Sequence, residues 1–130
     1  MKNALITGLV GGALAALSFI SPPNPLIGRW QQKFSDGMTA LCVFRPDGSL
    51  DFFVNGKAFA NGKYYVRQDT FALAYPSCGP AYYGRYQLRF FARDSVRFTV
   101  LADTCRERRA GMDGVTLGRV NPDRVKSTRR

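Results

Sequence analysis

The sequence predicts an all-β domain: an antiparallel, up-and-down barrel of eight strands. Three observations lead there. Beyond the first two dozen residues, short runs of alternating apolar and polar residues follow one another, separated by turn residues such as Pro46-Asp47-Gly48 and Asn55-Gly56. No segment in that region sustains a helical period. The links between runs are mostly short, which favours neighbour-to-neighbour pairing over the long crossover of a two-sheet sandwich. Closure of such a sheet also removes its edges.

The elements follow in order. Residues 26–34 form the first strand, ended by Ser35-Asp36-Gly37, and residues 38–45 the second. After the Pro46 turn comes a third strand, 49–55, with Leu50, Phe52 and Val54 on one face. Asn55-Gly56 reads as a tight turn opening a loop that runs to Asn61-Gly62. The fourth strand is 63–68, with Tyr64 and Val66 on one side, and the fifth is 70–75, with Phe71, Leu73 and Tyr75 aligned. "PSCGPAYYG" breaks the pattern. In strand six, 85–92, Tyr86, Leu88 and Phe90 oppose Arg85, Gln87 and Arg89. In strand seven, 95–102, Val96, Phe98 and Val100 oppose Arg97 and Thr99. "CRERRAG" has room for a single helical turn, and residues 115–120 close the series. Strict alternation gives each strand one buried and one wet face.

The chain divides into three parts. Residues 1–24 read as a signal peptide and a proline-rich spacer, 25–121 as the barrel, and 122–130 as a basic tail. The leader has one lysine, then the uncharged stretch "ALITGLVGGALAALSFI", with small residues suited to cleavage after Ser18. An uncleaved membrane tether is the alternative, although that stretch is short for a span. An exported protein, periplasmic or extracellular, is the expectation. Export permits a disulfide among Cys42, Cys78 and Cys105. Three pairings exist. Cys78 and Cys105 fall at loop or strand-edge positions and Cys42 inside a strand, so Cys78–Cys105 is the expected bridge, with Cys42 a small buried hydrophobe.

The net charge is +10, and arginine dominates it. Such a surface attracts anionic membranes, polysaccharides or nucleic acid. In "YYGRYQLRFF", rings and arginines alternate and so lie on opposite faces, which argues against stacking on a single nucleic-acid strand. The chain has no histidine, which removes the commonest general base and metal ligand. The carboxylates fall mostly at turns, and no serine or cysteine has an evident base partner. The sequence therefore implies no enzyme, no metal and no cofactor.

Gly28-Arg29-Trp30 resembles the opening of the lipocalin and wider calycin barrels. The resemblance implies that an arginine near the barrel's end covers the indole. Arg119 is the candidate, with Arg108 or Arg109 in reserve, and Gly28, Trp30 and Arg119 become structural residues. The chain is more similar to compact lipocalin-like domains of exported bacterial proteins. Gly62-Lys63-Tyr64 and Gly84-Arg85-Tyr86 match a Gly-x-Tyr strand of that group, and Asp103-Thr104-Cys105-Arg106-Glu107-Arg108 matches its Asp-x-Cys-x-x-Arg segment. Avidins also open with Gly-x-Trp, but a biotin pocket needs several tryptophans and this chain has one.

Two functional expectations follow. In the first, the barrel binds a small apolar or amphipathic ligand non-covalently in a pocket lined by Tyr64, Tyr75, Tyr86 and Phe98, at the mouth opposite Trp30. An eight-stranded barrel is wide enough for one small ligand. In the second, the same aromatic residues fill the interior. The protein is then an envelope-associated module whose basic surface contacts anionic lipid or polysaccharide.

Overall fold

A computed structural model describes residues 24–120. The predicted leader and the basic tail lie outside the described residues, apart from Asn24 at the end of the spacer.

Eight antiparallel strands close into one barrel in chain order. They are β1 (Gly28–Lys33), β2 (Thr39–Phe44), β3 (Ser49–Val54), β4 (Lys57–Arg67), β5 (Thr70–Ala74), β6 (Gly84–Phe91), β7 (Ser95–Ala102) and β8 (Thr116–Arg119). Closure comes from β1 pairing with β8, with Trp30 opposite Arg119 and Gln31 opposite Gly118. A short helix, α1 (Arg106–Met112), lies between β7 and β8.

Two expectations need correction. Residues 57–62 are strand, not loop. Asn55 and Gly56 both take positive φ, 52° and 81°, and complete the turn in two residues. Lys57 therefore pairs at once with Val54, and a bulge near Phe52 and Phe53 absorbs the irregularity. The polar run around Asn61-Gly62 concealed this strand. Gly62 is not a turn residue; a Cβ there would press into the Tyr75 ring. The second correction concerns "CRERRAG", which begins a helix of seven residues rather than a single turn. Only Arg108 and Met112 on it are buried, too few to leave a periodic signal.

The inward faces form one core. Phe71 sits at its centre, with ring centroids of Phe98, Phe44, Tyr64 and Tyr86 at 5.1, 5.7, 5.9 and 6.4 Å. Phe90 has the inward parity of Tyr86 and Leu88, yet it is 41% exposed. It lies near the closed end of β6, opposite Val96 on β7, where its ring meets that of Trp30 at 6.3 Å.

That end is closed. Trp30 is buried and its indole N–H donates to the Leu26 carbonyl at 2.9 Å. The Arg119 guanidinium lies 4.3 Å from the Trp30 ring centroid and donates to the carbonyls of Ile27 and Pro25. Gly28 has φ 129°, and a side chain there would meet the same guanidinium at 3.2 Å. Gly28, Trp30 and Arg119 thus form one unit. Arg108, held in reserve for that role, lies at the opposite end.

Candidate functional site

The open end carries the β1–β2 loop, the β3–β4 turn, the β5–β6 loop and the α1 segment. The β5–β6 loop is tied to the start of α1 by a Cys78–Cys105 disulfide, with Cα atoms 5.8 Å apart. Closing a loop of this length stabilises by roughly 3–4 kcal/mol in the chain-entropy treatment. Cys42 is free and buried, and burial pushes its thiol well above the ordinary range.

Beneath α1 is a buried ionic cluster. Arg108 donates from Nε and Nη2 to the two Asp103 oxygens, at 2.8 and 2.9 Å. The Tyr86 hydroxyl donates to Asp103 Oδ2, and the Cys105 backbone N–H donates to Oδ1. Burial pushes the Asp103 carboxyl up, but these hydrogen bonds, Arg108's first, outweigh burial and hold it below its usual value. The Asp103 carboxylate rests directly on Gly84, where a Cβ would collide with it. The Gly-x-Tyr segment at 84–86 and the Asp-x-Cys-x-x-Arg segment at 103–108 therefore interlock at one place. Gly84 makes room for the carboxylate, Tyr86 donates to it, and Arg108 neutralises it. The Arg108 guanidinium also lies 5.6 Å from the ring centroids of both Tyr75 and Tyr82.

Beside this cluster a cavity of about 210 Å³ opens to solvent. Phe34, Met38, Ala40, Phe52, Val54, Phe59, Tyr75, Glu107, Arg108, Gly111 and Met112 line it. A smaller cavity of about 70 Å³ shares Phe34, Ala40, Phe52, Gly111 and Met112 with it and reaches into the interior, to Cys42, Phe71 and Phe98. The lining is largely hydrocarbon and sulfur. Several of its apolar members face water at the rim: Phe34 and Met38 are exposed, and Phe59 is 70% exposed.

The four expected ligand residues do not line one pocket. Phe98 lines the inner cavity and Tyr75 the mouth. Tyr64 lies toward the closed end, where its hydroxyl donates to the Arg45 carbonyl at 2.7 Å and accepts from Asn24. Tyr86 is fully buried with its hydroxyl committed to Asp103. Inward parity places all four inside the barrel but does not say at what height, and height decides which of them meet the cavity. The mouth residues Phe34, Met38, Phe59, Arg108 and Met112 come from loops, strand ends and a helix, where strand alternation gives no guidance. The signal for Arg108 was its spacing from Asp103 in the 103–108 segment. Among the described residues, no three His, Cys, Asp or Glu side chains gather as a metal site, and no helix is long and apolar enough to cross a membrane.

The chain matches no protein-family model and no curated protein by sequence. Among solved structures it is similar to the lipoprotein YedD from Klebsiella pneumoniae subsp. pneumoniae MGH 78578. The identity is 15%, the match covers 89% of this chain and 97% of that one, and the TM-score is 0.47.

Proposed function

We propose that this chain is an exported, lipocalin-like barrel protein that binds a slender apolar or amphipathic molecule non-covalently at its α1 end. The observation that carries this reading is the apolar mouth of about 210 Å³, with a second cavity of about 70 Å³ that shares five of its lining residues on the inner side. Ligand sites typically run from about 300 to 1,000 Å³, so a narrow molecule fits better than a fused ring system. The rim side chains Phe34, Met38 and Phe59 give such a molecule apolar surface to leave water against. The leader, one lysine followed by an uncharged apolar stretch, and the Cys78–Cys105 bridge support export to an oxidising compartment. No chemical step belongs to this reading. Displacement of an environment-sensitive apolar dye by a panel of lipids and hydrophobic metabolites tests it. Dose-dependent displacement is expected; a protein that binds neither dye nor any panel member overturns the reading.

A second reading rests on the outer face of the sheet. Arg89 on β6 stands directly opposite Arg97 on β7, with Arg85 further along β6. Like charges placed opposite one another cost stability, so a surface that carries them suits contact with anionic lipid or polysaccharide. Co-sedimentation with anionic vesicles at rising salt tests this. Binding that fades with screening supports it, and no binding at low salt removes it.

A further inference from the structure

The wall formed by β4, β5, β6 and β7 has a cationic outer face. Lys63 and Arg67 on β4, Arg85 and Arg89 on β6, and Arg97 on β7 all point outward and are exposed. No outward position on these four strands is acidic. Asp69 and Asp94 lie in turns at the closed end, and Asp94 faces Arg119 at 3.6 Å. Among the described residues, none of the five cations pairs with a carboxylate. The strand register gathers them. Arg89 stands opposite Arg97, and in the next row Arg67, Thr70, Gln87 and Thr99 are neighbours on successive strands. Tyr65, Ala72 and Arg85 make the row beyond that. Such rows are about 7 Å apart and strands about 4.8 Å, so the four arginines lie within roughly 15 Å of one another. Ala72 and Ala74 point outward on β5 yet are 0% and 3% exposed, so longer side chains on either side lie across them. The Arg67 guanidinium rests 5.6 Å from the Tyr65 ring centroid, and the Tyr65 ring meets that of Tyr83 at 5.3 Å.

We propose that this wall is a docking surface for an acidic polysaccharide, whose carboxylates pair with Arg67, Arg85, Arg89 and Arg97 and whose hydroxyls meet Thr70, Gln87 and Thr99. The proposal rests on the second reading above and commits its partner to one class. Arginines gathered without counter-charges repel one another and call for an anion. The guanidinium fork matches a carboxylate through two parallel hydrogen bonds, which an ammonium does not. Between the cations stand neutral side chains that both donate and accept hydrogen bonds. A sugar chain supplies hydroxyls between its charges along its whole length. A bilayer calls for apolar side chains that enter the acyl boundary at the centre of the contact. Here Phe91 and Leu101, 43% and 50% exposed, stand at opposite borders of the wall, and its centre is polar. The Tyr65 ring already holds Arg67, so less freedom is lost when the partner arrives.

The test titrates the full-length protein with polygalacturonate, neutral dextran, and vesicles of phosphatidylglycerol and phosphatidylethanolamine. Polygalacturonate is expected to bind at low salt and to weaken as salt rises, while dextran does not bind. The double substitution Arg89→Gln and Arg97→Gln is expected to weaken polygalacturonate by roughly tenfold, the scale of two exposed arginine–carboxylate contacts. Its unfolding midpoint should stay unchanged or rise, because a like-charge pair is removed. Arg29→Gln with Lys33→Gln is the control: it removes the same charge from β1, across the barrel from β5, and is expected to leave binding within about twofold of wild type. Equal weakening by both pairs traces the attraction to net charge and overturns the site. Binding undiminished by either pair overturns it too. Dextran bound as well as polygalacturonate overturns the acidic partner. Vesicles bound without polygalacturonate overturn the proposal but leave the basic-surface reading standing for lipid, and binding to neither at low salt overturns both.

Discussion

Arg119 on the last strand lies over Trp30 on the first, 4.3 Å from its ring centroid, and fastens the N-terminal approach by donating to the Pro25 and Ile27 carbonyls. One side chain thereby covers the indole, joins the two strands that close the barrel, and holds the segment entering it. Trp30→Ala is expected to lower unfolding stability by roughly 3–5 kcal/mol, the cost of a large core truncation. Arg119→Lys is expected to lose about 1 kcal/mol, because an ammonium cannot stack on the ring and span two carbonyls as a planar guanidinium does. Urea unfolding of both variants checks this. A wild-type midpoint for Trp30→Ala would contradict the structural role.

The Asp103–Arg108 pair predicts a pH response. The folded carboxyl is held below its ordinary value, so the folded state takes up its proton less readily than the unfolded chain does. Its contribution is therefore fully present above about pH 4 and declines as pH falls below that, through the lowered folded value. Thermal unfolding followed downward from neutral pH should show the midpoint falling in that acid range. Asp103→Asn should flatten that part of the profile while costing roughly 3–5 kcal/mol at neutral pH, because Arg108 is left buried without its counter-charge. An unchanged acid slope in that variant would assign the response to other carboxylates.

The same cluster marks how far the sequence could be read. Strand number, order and inward parity were legible, because alternation along β6 and β7 reports directly on a sheet with one wet face. So was the pairing of Cys78 with Cys105, whose positions at a loop and a strand edge left them free to approach. The site was not legible, and the reason is geometric. Tyr64 and Tyr86 share inward parity with Tyr75, yet one binds the Arg45 carbonyl near the closed end and the other binds Asp103. Alternation records which face a residue takes and is silent on its height in the barrel. Arg108 stood out in the sequence only by its spacing from Asp103 and as a reserve partner for Trp30. Only the helix that turns it under the disulfide buries it.

Gly84 offers a test of the interlock between β6 and the 103–108 segment. Its missing side chain is the space the Asp103 carboxylate occupies. Gly84→Ala is expected to displace that carboxylate and cost roughly 1–3 kcal/mol, the usual range for forcing extra volume into a packed site. Gly111→Ala is the control, since a Cβ there meets nothing within 4 Å and alanine favours a helix. Chemical denaturation should separate the two variants in opposite directions.

The β6–β7 turn stores strain that can be relieved. Arg93 has φ 72°, and the Asp94 N–H bonds back to the Ala92 carbonyl at 2.7 Å around it. That is a tight three-residue turn of a strained kind for any residue with a side chain. Arg93→Gly is expected to raise stability by roughly 0.5–1 kcal/mol, the balance of relieved strain against glycine's greater unfolded-state freedom. Arg93→Ala removes the same charge but keeps the Cβ, so it should show no such gain. Equal gains in both would trace the effect to charge.

Cys42 reports on access to the inner cavity. Its thiol is buried, lines the space beneath the mouth, and is pushed up by burial, so little thiolate exists at neutral pH. Reactivity follows the thiolate. Iodoacetamide is therefore expected to leave Cys42 unmodified in the folded protein, with the rate rising in urea in step with global unfolding. Two further outcomes are informative. Rapid labelling in native buffer would mean that the path under α1 opens without unfolding. Labelling slowed by a saturating mouth ligand would then place that path through the cavity lined by Phe34, Phe52 and Met112.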